Sequence, residues 1–358
     1  MTDLFAPATL GDLSLQNRLV MAPLTRMRSD SAGVPGDLVV EHYAQRATLG
    51  LIVTEGTFPS PAGRGYSGQP GLVTADQAAG WARVTEAVHS EGGRIVAQLM
   101  HAGRVTHGAT NGGLDVEAPS AIAIDGETYT PEGKLPYPVP VALDAEALER
   151  VVRDFVSAAR LAVDAGFDGV EVHGANGYLL HEFLAPSSNV REDRYGGSPE
   201  NRARFVAEVV EAVSAEIGAA RVGLRISPSH NIQDVLETDP ADVSATYGSL
   251  LARIAPLGLA YLSILHDAPA GDLVQSLRDV FGGPVLLNSG FGVVTTRDEA
   301  VALVADGVAD AVVVGRPAIA NPDLVRRWRE GLPLNELDAS TLYTPGAAGY
   351  TDYPALAE

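Results

Sequence analysis

Cysteine is absent from the 358-residue chain. That absence removes thiol catalysis, disulfide bonds, thiolate zinc sites and iron–sulfur clusters together. Lysine is nearly absent as well: 25 basic residues less the single Lys134 leave 24 arginines. A Walker-type Gly-Lys loop is therefore excluded, and a Schiff-base mechanism is left only a lysine in a Pro-rich loop. Positive charge is also scarce overall. The net charge of -20 argues against nucleic acid or an anionic membrane as partner, since both repel an acidic surface. No run approaches the roughly 18 apolar residues of a membrane helix. The N-terminal MTDLFAPATLG has neither the basic region nor the apolar stretch of a signal peptide. These absences lead to the expectation of a soluble cytoplasmic enzyme, and they leave its oligomeric state open.

What is present is ordinary globular composition, with 46% hydrophobic and 20% charged residues. Short apolar strands recur at 18–23, 51–57, 94–100, 168–174, 221–227, 259–265, 284–290 and 310–316. Longer amphipathic stretches, expected to be helices, lie between them at 75–91, 144–165, 199–217, 242–255, 271–281, 295–305 and 321–330. Asp144 and Ser198 are natural caps for two of these, the second followed by Pro199 at its first position. Eight strands alternating with helices point to a closed parallel (β/α)8 TIM barrel, with a doubly wound open sheet as the alternative. No polar linker divides the chain, so residues 1–358 read as one domain. The excess length falls largely at 104–142, a Gly- and Pro-rich insertion after strand three. It reads as a cap over the site or, failing that, as a disordered surface loop.

Strand alternation assigns side chains to faces. In RVGLRIS (221–227), Val222, Leu224 and Ile226 suit the helical shell, whereas Gly223, Arg225 and Ser227 face the barrel interior. The same rule turns Glu171 and His173 inward and puts Gln98 and Met100 on one face. Polar residues at C-terminal strand ends read as catalytic in this fold. GRGYSG (63–68) matches G-x-G-x-x-G, but no helix opens on its last glycine, so it offers no pyrophosphate cradle. The histidines His101, His107, His173 and His181 lack any H-E-x-x-H or H-x-H arrangement, and no metal is expected. NSGFG (288–292) and GRP (315–317) follow strands seven and eight, where such barrels commonly hold phosphate. Turn chemistry alone would also favour those glycines.

NRLVMAPLTRMR (17–28), QRATLGLIVTEGT (45–57) and VHSEGGRIVAQLMHAGR (88–104) carry a family resemblance. So do the segment from Gly166 to Arg202, GRPAIANPDL (315–324) and GYTDYP (349–354). Together they resemble the old yellow enzyme family of flavin-dependent ene-reductases. The related iron–sulfur barrels need cysteines, and the thiol-tuned branch of the family is disfavoured for the same reason. The resemblance implies noncovalent FMN on the barrel, with NADPH or NADH as electron donor. Pro23, Leu24 and Thr25 would line one side of the ring, with Gly56 and Gln98 at its pyrimidine part. Arg225 would lie by N1 and O2, and Ser289, Gly290, Gly315 and Arg316 by the phosphate. Asn288 would also contact the cofactor, and Tyr350 would stand near the rim.

His173 and Asn176 would clamp the substrate's carbonyl or nitro oxygen, and Tyr178 would donate the proton. A tyrosine of ordinary pKa, near 10, is protonated at neutral pH, as an acid must be. Tyr66 and Met100 would line the substrate pocket, Met100 standing where many classical members carry Trp. His181 has no such role and reads as structural. The implied reaction reduces activated alkenes: enones, enals, maleimides or nitroalkenes. Rival readings are a nitrate ester or nitroaromatic reductase on the same flavin, and a flavin-binding barrel without turnover. Neither the physiological alkene, nor the choice between NADPH and NADH, nor the stereochemical outcome is legible in the sequence.

Overall fold

The computed structural model describes residues 3–356. Its centre is a ring of eight parallel strands: β1 (Leu19–Met21), β2 (Leu51–Val53), β3 (Ile95–Leu99) and β4 (Gly169–Gly174), then β5 (Val222–Ile226), β6 (Tyr261–Leu265), β7 (Val285–Asn288) and β8 (Ala311–Val314). Each pairs with the next and β8 returns to β1, so the sheet closes without an edge. An open doubly wound sheet is thereby excluded. The strands stop short of the ends expected from their apolar runs, most of all β2, whose residues 54–57 already belong to a loop. Thr54, Glu55, Gly56 and Thr57 there are polar or small yet buried, so they belong to the floor of the site and not to the ladder.

The helices are α1 (Asp37–Ala44), α2 (Ala75–Ser90), α3 (Ala145–Asp164), α4 (Pro199–Ile217), α5 (Pro240–Ile254), α6 (Asp272–Phe281), α7 (Arg297–Ala305) and α8 (Leu324–Glu330). In α3 the buried positions Leu148, Val151, Phe155, Ala158 and Ala162 recur three or four apart, forming the stripe that faces the barrel. Asp144 caps it by accepting from the Ala147 N–H at 2.9 Å, and Ser198 caps α4 from Asn201 at 3.4 Å. Helix α1 is absent from the sequence-based expectation. It is two turns long and starts at Gly36 without a side-chain cap, so it carries no start signal.

Two apolar layers result from the alternation. Val170, Val172, Val222, Leu224 and Ile226 pack outward among the helices. Val20, Leu51, Val53, Val96, Tyr261, Leu286 and Val313 fill the barrel's interior. A hairpin of Ala8–Leu10 with Leu13–Leu15 joins that inner layer through Leu10, Leu13 and Leu15. Its turn docks beneath the start of β5, where Asp12 N–H donates to the Ala220 carbonyl at 2.9 Å. The hairpin thus plugs the N-terminal end, and the barrel's chemistry is confined to the C-terminal end.

The insertion is folded rather than a loose loop. It contains a short helix, Gly108–Asn111, and a hairpin pairing Glu127–Thr130 with Gly133–Pro136. Arg104 and Asp125 bond it to Gln233 and Asp234 after β5, and Thr106 bonds it to Arg64 after β2. Among the described residues no helix is long and apolar enough to cross a membrane.

Candidate active site

Register places two rows of inward residues across the barrel. Gln98, Glu171, Gly223 and Tyr261 stand side by side on β3 to β6. One step toward the C-terminal end, His173, Arg225 and Ser263 form the next row. Gly223 is required in the lower row, since a Cβ there would sit 2.3 Å from the Tyr261 ring. Gln98 connects the rows: its Nε2 donates to Glu171 Oε1 at 2.8 Å and lies 3.3 Å from His173 Nδ1. An amide nitrogen cannot accept, so Nδ1 is the acceptor and the proton of His173 sits on Nε2. Burial first, and then the nearby Arg225 charge, hold the His173 pKa well below its ordinary value, so the ring is neutral. It is a fixed neutral donor.

Arg225 is buried, and its Nη1 donates to Ser263 Oγ at 3.2 Å. Burial pulls its pKa down while Glu171 and Tyr261 oppose the fall. A guanidinium stays charged under such conditions. Its Nε has no hydrogen-bond partner among the described residues. Burial raises the Glu171 pKa, with Arg225 and Gln98 pulling the other way.

Beyond β4 the chain makes a tight turn at Asn176 and Gly177, with φ of 61° and 82°. Asn176 N–H donates to Ser227 Oγ at 2.8 Å, and its carbonyl accepts from Gln233 Nε2 at 2.9 Å. The Asn176 Oδ1 is buried without a hydrogen-bond partner among the described residues. Tyr178 follows, its ring centroid 5.4 Å from that of His173. Its hydroxyl lies 2.7 Å from that of Tyr66, which arrives on the loop after β2. Burial raises the Tyr178 pKa above its ordinary value, against bonds from Tyr66 and Gln233. His173, Asn176, Tyr178 and Tyr66 thus converge at one end of the barrel.

The other expected positions surround this cluster. Pro23, Leu24 and Thr25 are half-buried on the loop after β1, and Leu24 faces Gly315. Glu55, which sequence reasoning passed over, fixes that loop by accepting the N–H groups of Arg26 and Met27 at 3.0 and 2.9 Å. Met100 is buried against Gly56, where a Cβ would lie 2.5 Å from its sulfur. Asn288 Nδ2 donates to the Val313 carbonyl at 2.9 Å, and Arg316 donates to the Phe291 carbonyl. These bonds gather Ser289, Gly290, Gly315 and Arg316 into one corner at the ends of β7 and β8.

Two positions carry contacts that their sequence neighbourhood does not announce. The Ser289 hydroxyl donates to Glu299 in α7, which leaves its backbone for an anion. Tyr350 is fully buried, its ring stacked 3.9 Å from that of His42. Arg26 and Arg28 lie over the same ring at 5.0 and 4.5 Å. Both guanidiniums also donate to carbonyls of residues 341–349, which draws the C-terminal segment inward.

The residues present fit FMN. A buried guanidinium with an unused N–H suits an electron-rich ring edge, and Gln98 turns its amide inward one row below it. Gly290, at φ 95°, and Gly315 leave backbone open in the corner beside Arg316, as a phosphate requires.

Comparison with known proteins agrees with this geometry. The NADH:flavin oxidoreductase / NADH oxidase family matches residues 3–335. A probable flavin mononucleotide-dependent alkene reductase of Leishmania infantum is 43% identical, over 98% of this chain and 96% of its own. A 12-oxophytodienoate reductase of Oryza sativa subsp. japonica is 39% identical, over 99% and 93%. The solved old yellow enzyme homologue from Zymomonas mobilis superposes with a TM-score of 0.93 at 41% identity, over 99% of this chain and 100% of that one. Morphinone reductase in complex with tetrahydroNAD gives 0.93 at 43%, over 100% and 98%. A buried Arg225, a cluster of hydrogen-bond donors at the open end of the barrel and likeness along the whole chain agree: the protein belongs to the old yellow enzyme family of FMN-dependent, NAD(P)H-driven flavin ene-reductases.

Proposed function

We propose that the protein reduces the C=C bond of α,β-unsaturated carbonyl or nitro compounds, with His173 and Asn176 holding the activating oxygen and Tyr178 supplying the proton. Bound FMN would supply the redox chemistry, the relay of hydride from the reduced nicotinamide to the alkene's β-carbon. The neutral His173 presents its Nε2–H to the substrate oxygen because Gln98 occupies Nδ1. A donor fixed before substrate arrives stabilises negative charge without reorganising, and that draws electron density away from the β-carbon. Arg225 would hold positive charge at the edge of the bound ring, where reduction adds negative charge.

Tyr178 remains protonated because burial penalises its phenolate. Its hydroxyl meets that of Tyr66 at 2.7 Å; with Tyr66 as the donor, the Tyr178 hydrogen is free for the substrate's α-carbon. This pairing of a neutral His donor with a buried tyrosine acid bonded to Tyr66 carries the reading. A nitrate ester reductase would need no such acid. The insertion at 104–142, bonded to the loops after β2 and β5, would cover the site and exclude water. Pro23, Leu24, Thr25, Gly56, Gln98, Arg225, Asn288, Ser289, Gly290, Gly315, Arg316 and Tyr350 would contact FMN, with Met100 and Tyr66 bordering the substrate.

One cuvette tests the whole. The purified yellow protein should bleach with NADPH under argon and recolour on adding cyclohexenone. Bleaching without recoloration by any activated alkene, while a nitrate ester restores the colour, would replace this reading.

A further inference from the structure

His181 lies on the short helix Leu179–Leu184 directly after Tyr178, and it is completely buried. Its Nδ1 accepts the Gly177 N–H at 2.9 Å. An accepting Nδ1 carries no proton, so the ring's proton is on Nε2. That nitrogen faces Glu237 Oε1 at 3.3 Å. Glu237 is itself buried and anchored, accepting the Tyr247 hydroxyl at 2.9 Å and the Ser229 N–H at 2.6 Å. Burial works against its charge, but His181 and these two donors hold its pKa below the ordinary value. An ionised carboxylate at that distance favours a protonated Nε2, the tautomer that the bond from Gly177 already requires.

The turn that His181 serves is not self-supporting. Asn176 occupies the left-handed region without being glycine, a conformation that persists only when surroundings impose it. Gly177 admits no other residue, since a Cβ would meet the Ile232 carbonyl and Gln233 at 2.9 Å. Three bonds from outside hold the turn's backbone: Ser227 and Gln233 from the loop after β5, and His181.

We infer that His181 is a positioning residue for alkene reduction, holding the Asn176–Tyr178 turn through a neutral tautomer set by Glu237. The inference rests on the proposed roles of Asn176 and Tyr178. Loss of the Nδ1 acceptor would leave a buried N–H unpaired and let the turn relax. A displacement near 1 Å is enough to misplace both the oxygen clamp and the acid.

The test uses FMN-loaded protein and two readouts: the charge-transfer band formed with 4-hydroxybenzaldehyde, and single-turnover oxidation of dithionite-reduced enzyme by cyclohexenone. His181→Phe keeps a ring but removes the acceptor; His181→Asn restores an acceptor at the position of Nδ1. The Phe variant should retain FMN yet lose at least tenfold in phenol affinity and in the alkene step. The Asn variant should stay within threefold of wild type in both. Wild-type behaviour of the Phe variant, or equal losses in both variants, overturns the inference.

Should the Phe variant fail to fold, Glu237→Gln decides. It should weaken phenol binding in the parent protein and have no further effect alongside His181→Asn; equal effects in both backgrounds overturn the inference. Asn176→Ala is the control for the reading beneath it. An undiminished phenol band in that variant would defeat the clamp itself, and this inference with it.

Discussion

The hydroxyl oxygens of Tyr66 and Tyr178 lie 2.7 Å apart, although 112 residues separate them along the chain. Burial drives both pKa values up, and the bond raises that of Tyr66 while lowering that of Tyr178. Either hydroxyl can donate at this distance, and alkene reduction calls for the arrangement in which Tyr66 donates and Tyr178 accepts. A tyrosine that accepts from its neighbour keeps its own hydrogen for another partner, and its phenolate is easier to form.

Tyr178→Phe should accordingly slow alkene reduction by about 10²–10⁴-fold, the usual contribution of a general acid. Reduction of FMN by NAD(P)H should remain close to normal. Nitroalkenes, which give stable anions on hydride addition, should suffer less than enones. Tyr66→Phe should give a smaller loss, on the order of tenfold, because the acid survives with a less stabilised phenolate. Stopped-flow single turnovers of the reduced enzymes measure both; unchanged enone rates in Tyr178→Phe would remove it as donor.

The clamp predicts a spectroscopic result. Replacing both His173 and Asn176 with Ala should abolish the long-wavelength band formed with phenols, since a phenolate mimics the activated oxygen and would lose two donors. Titration with 4-hydroxybenzaldehyde reads this directly. A band of normal strength in the double variant would place the oxygen site elsewhere.

Glu182 predicts a pH dependence of stability. It is fully buried, its Oε1 accepts the Arg104 N–H at 2.8 Å, and burial pushes its pKa up to about 8. The raised value means that the folded state holds a proton the unfolded chain has already released. Its contribution is then complete below the unfolded carboxyl range and is lost as pH rises toward about 8. The loss is bounded at about 1.4 kcal/mol per pH unit. Melting temperatures from pH 5 to 8 should fall for the parent protein and stay flatter for Glu182→Gln. Parallel curves for the two would show that Glu182 is ionised throughout.

Met100 predicts a change in substrate range. Its side chain lies against Gly56, beside a position proposed to contact the flavin. A flexible thioether leaves more room than an indole and restricts pose less. Met100→Trp should reduce turnover of β-substituted cyclic enones several-fold and narrow the set accepted, with little effect on nicotinamide oxidation. Rates and enantiomeric excess across several bulky enones measure this. Identical values for the two proteins would mean that residue 100 does not reach the substrate.

The sequence by itself determined the barrel and the direction in which its strand residues point. Eight apolar runs alternating with helices dictate a parallel sheet and favour its closure, and the two-residue period sends Arg225 and His173 inward while Val222 and Val172 go outward. The glycines after β7 and β8 and the donor cluster after β4 were legible in the same way, since each lies within one short segment. What only the tertiary structure decided is how those segments meet. The Tyr66–Tyr178 bond, the Gln98 amide shared by Glu171 and His173, and the His181–Glu237 contact all join residues far apart in sequence. The same holds for Tyr350, drawn beneath two arginines. Periodicity encodes which face a side chain takes. Its hydrogen-bond partner, and with it tautomer and proton position, is set by which loops the closed barrel brings together.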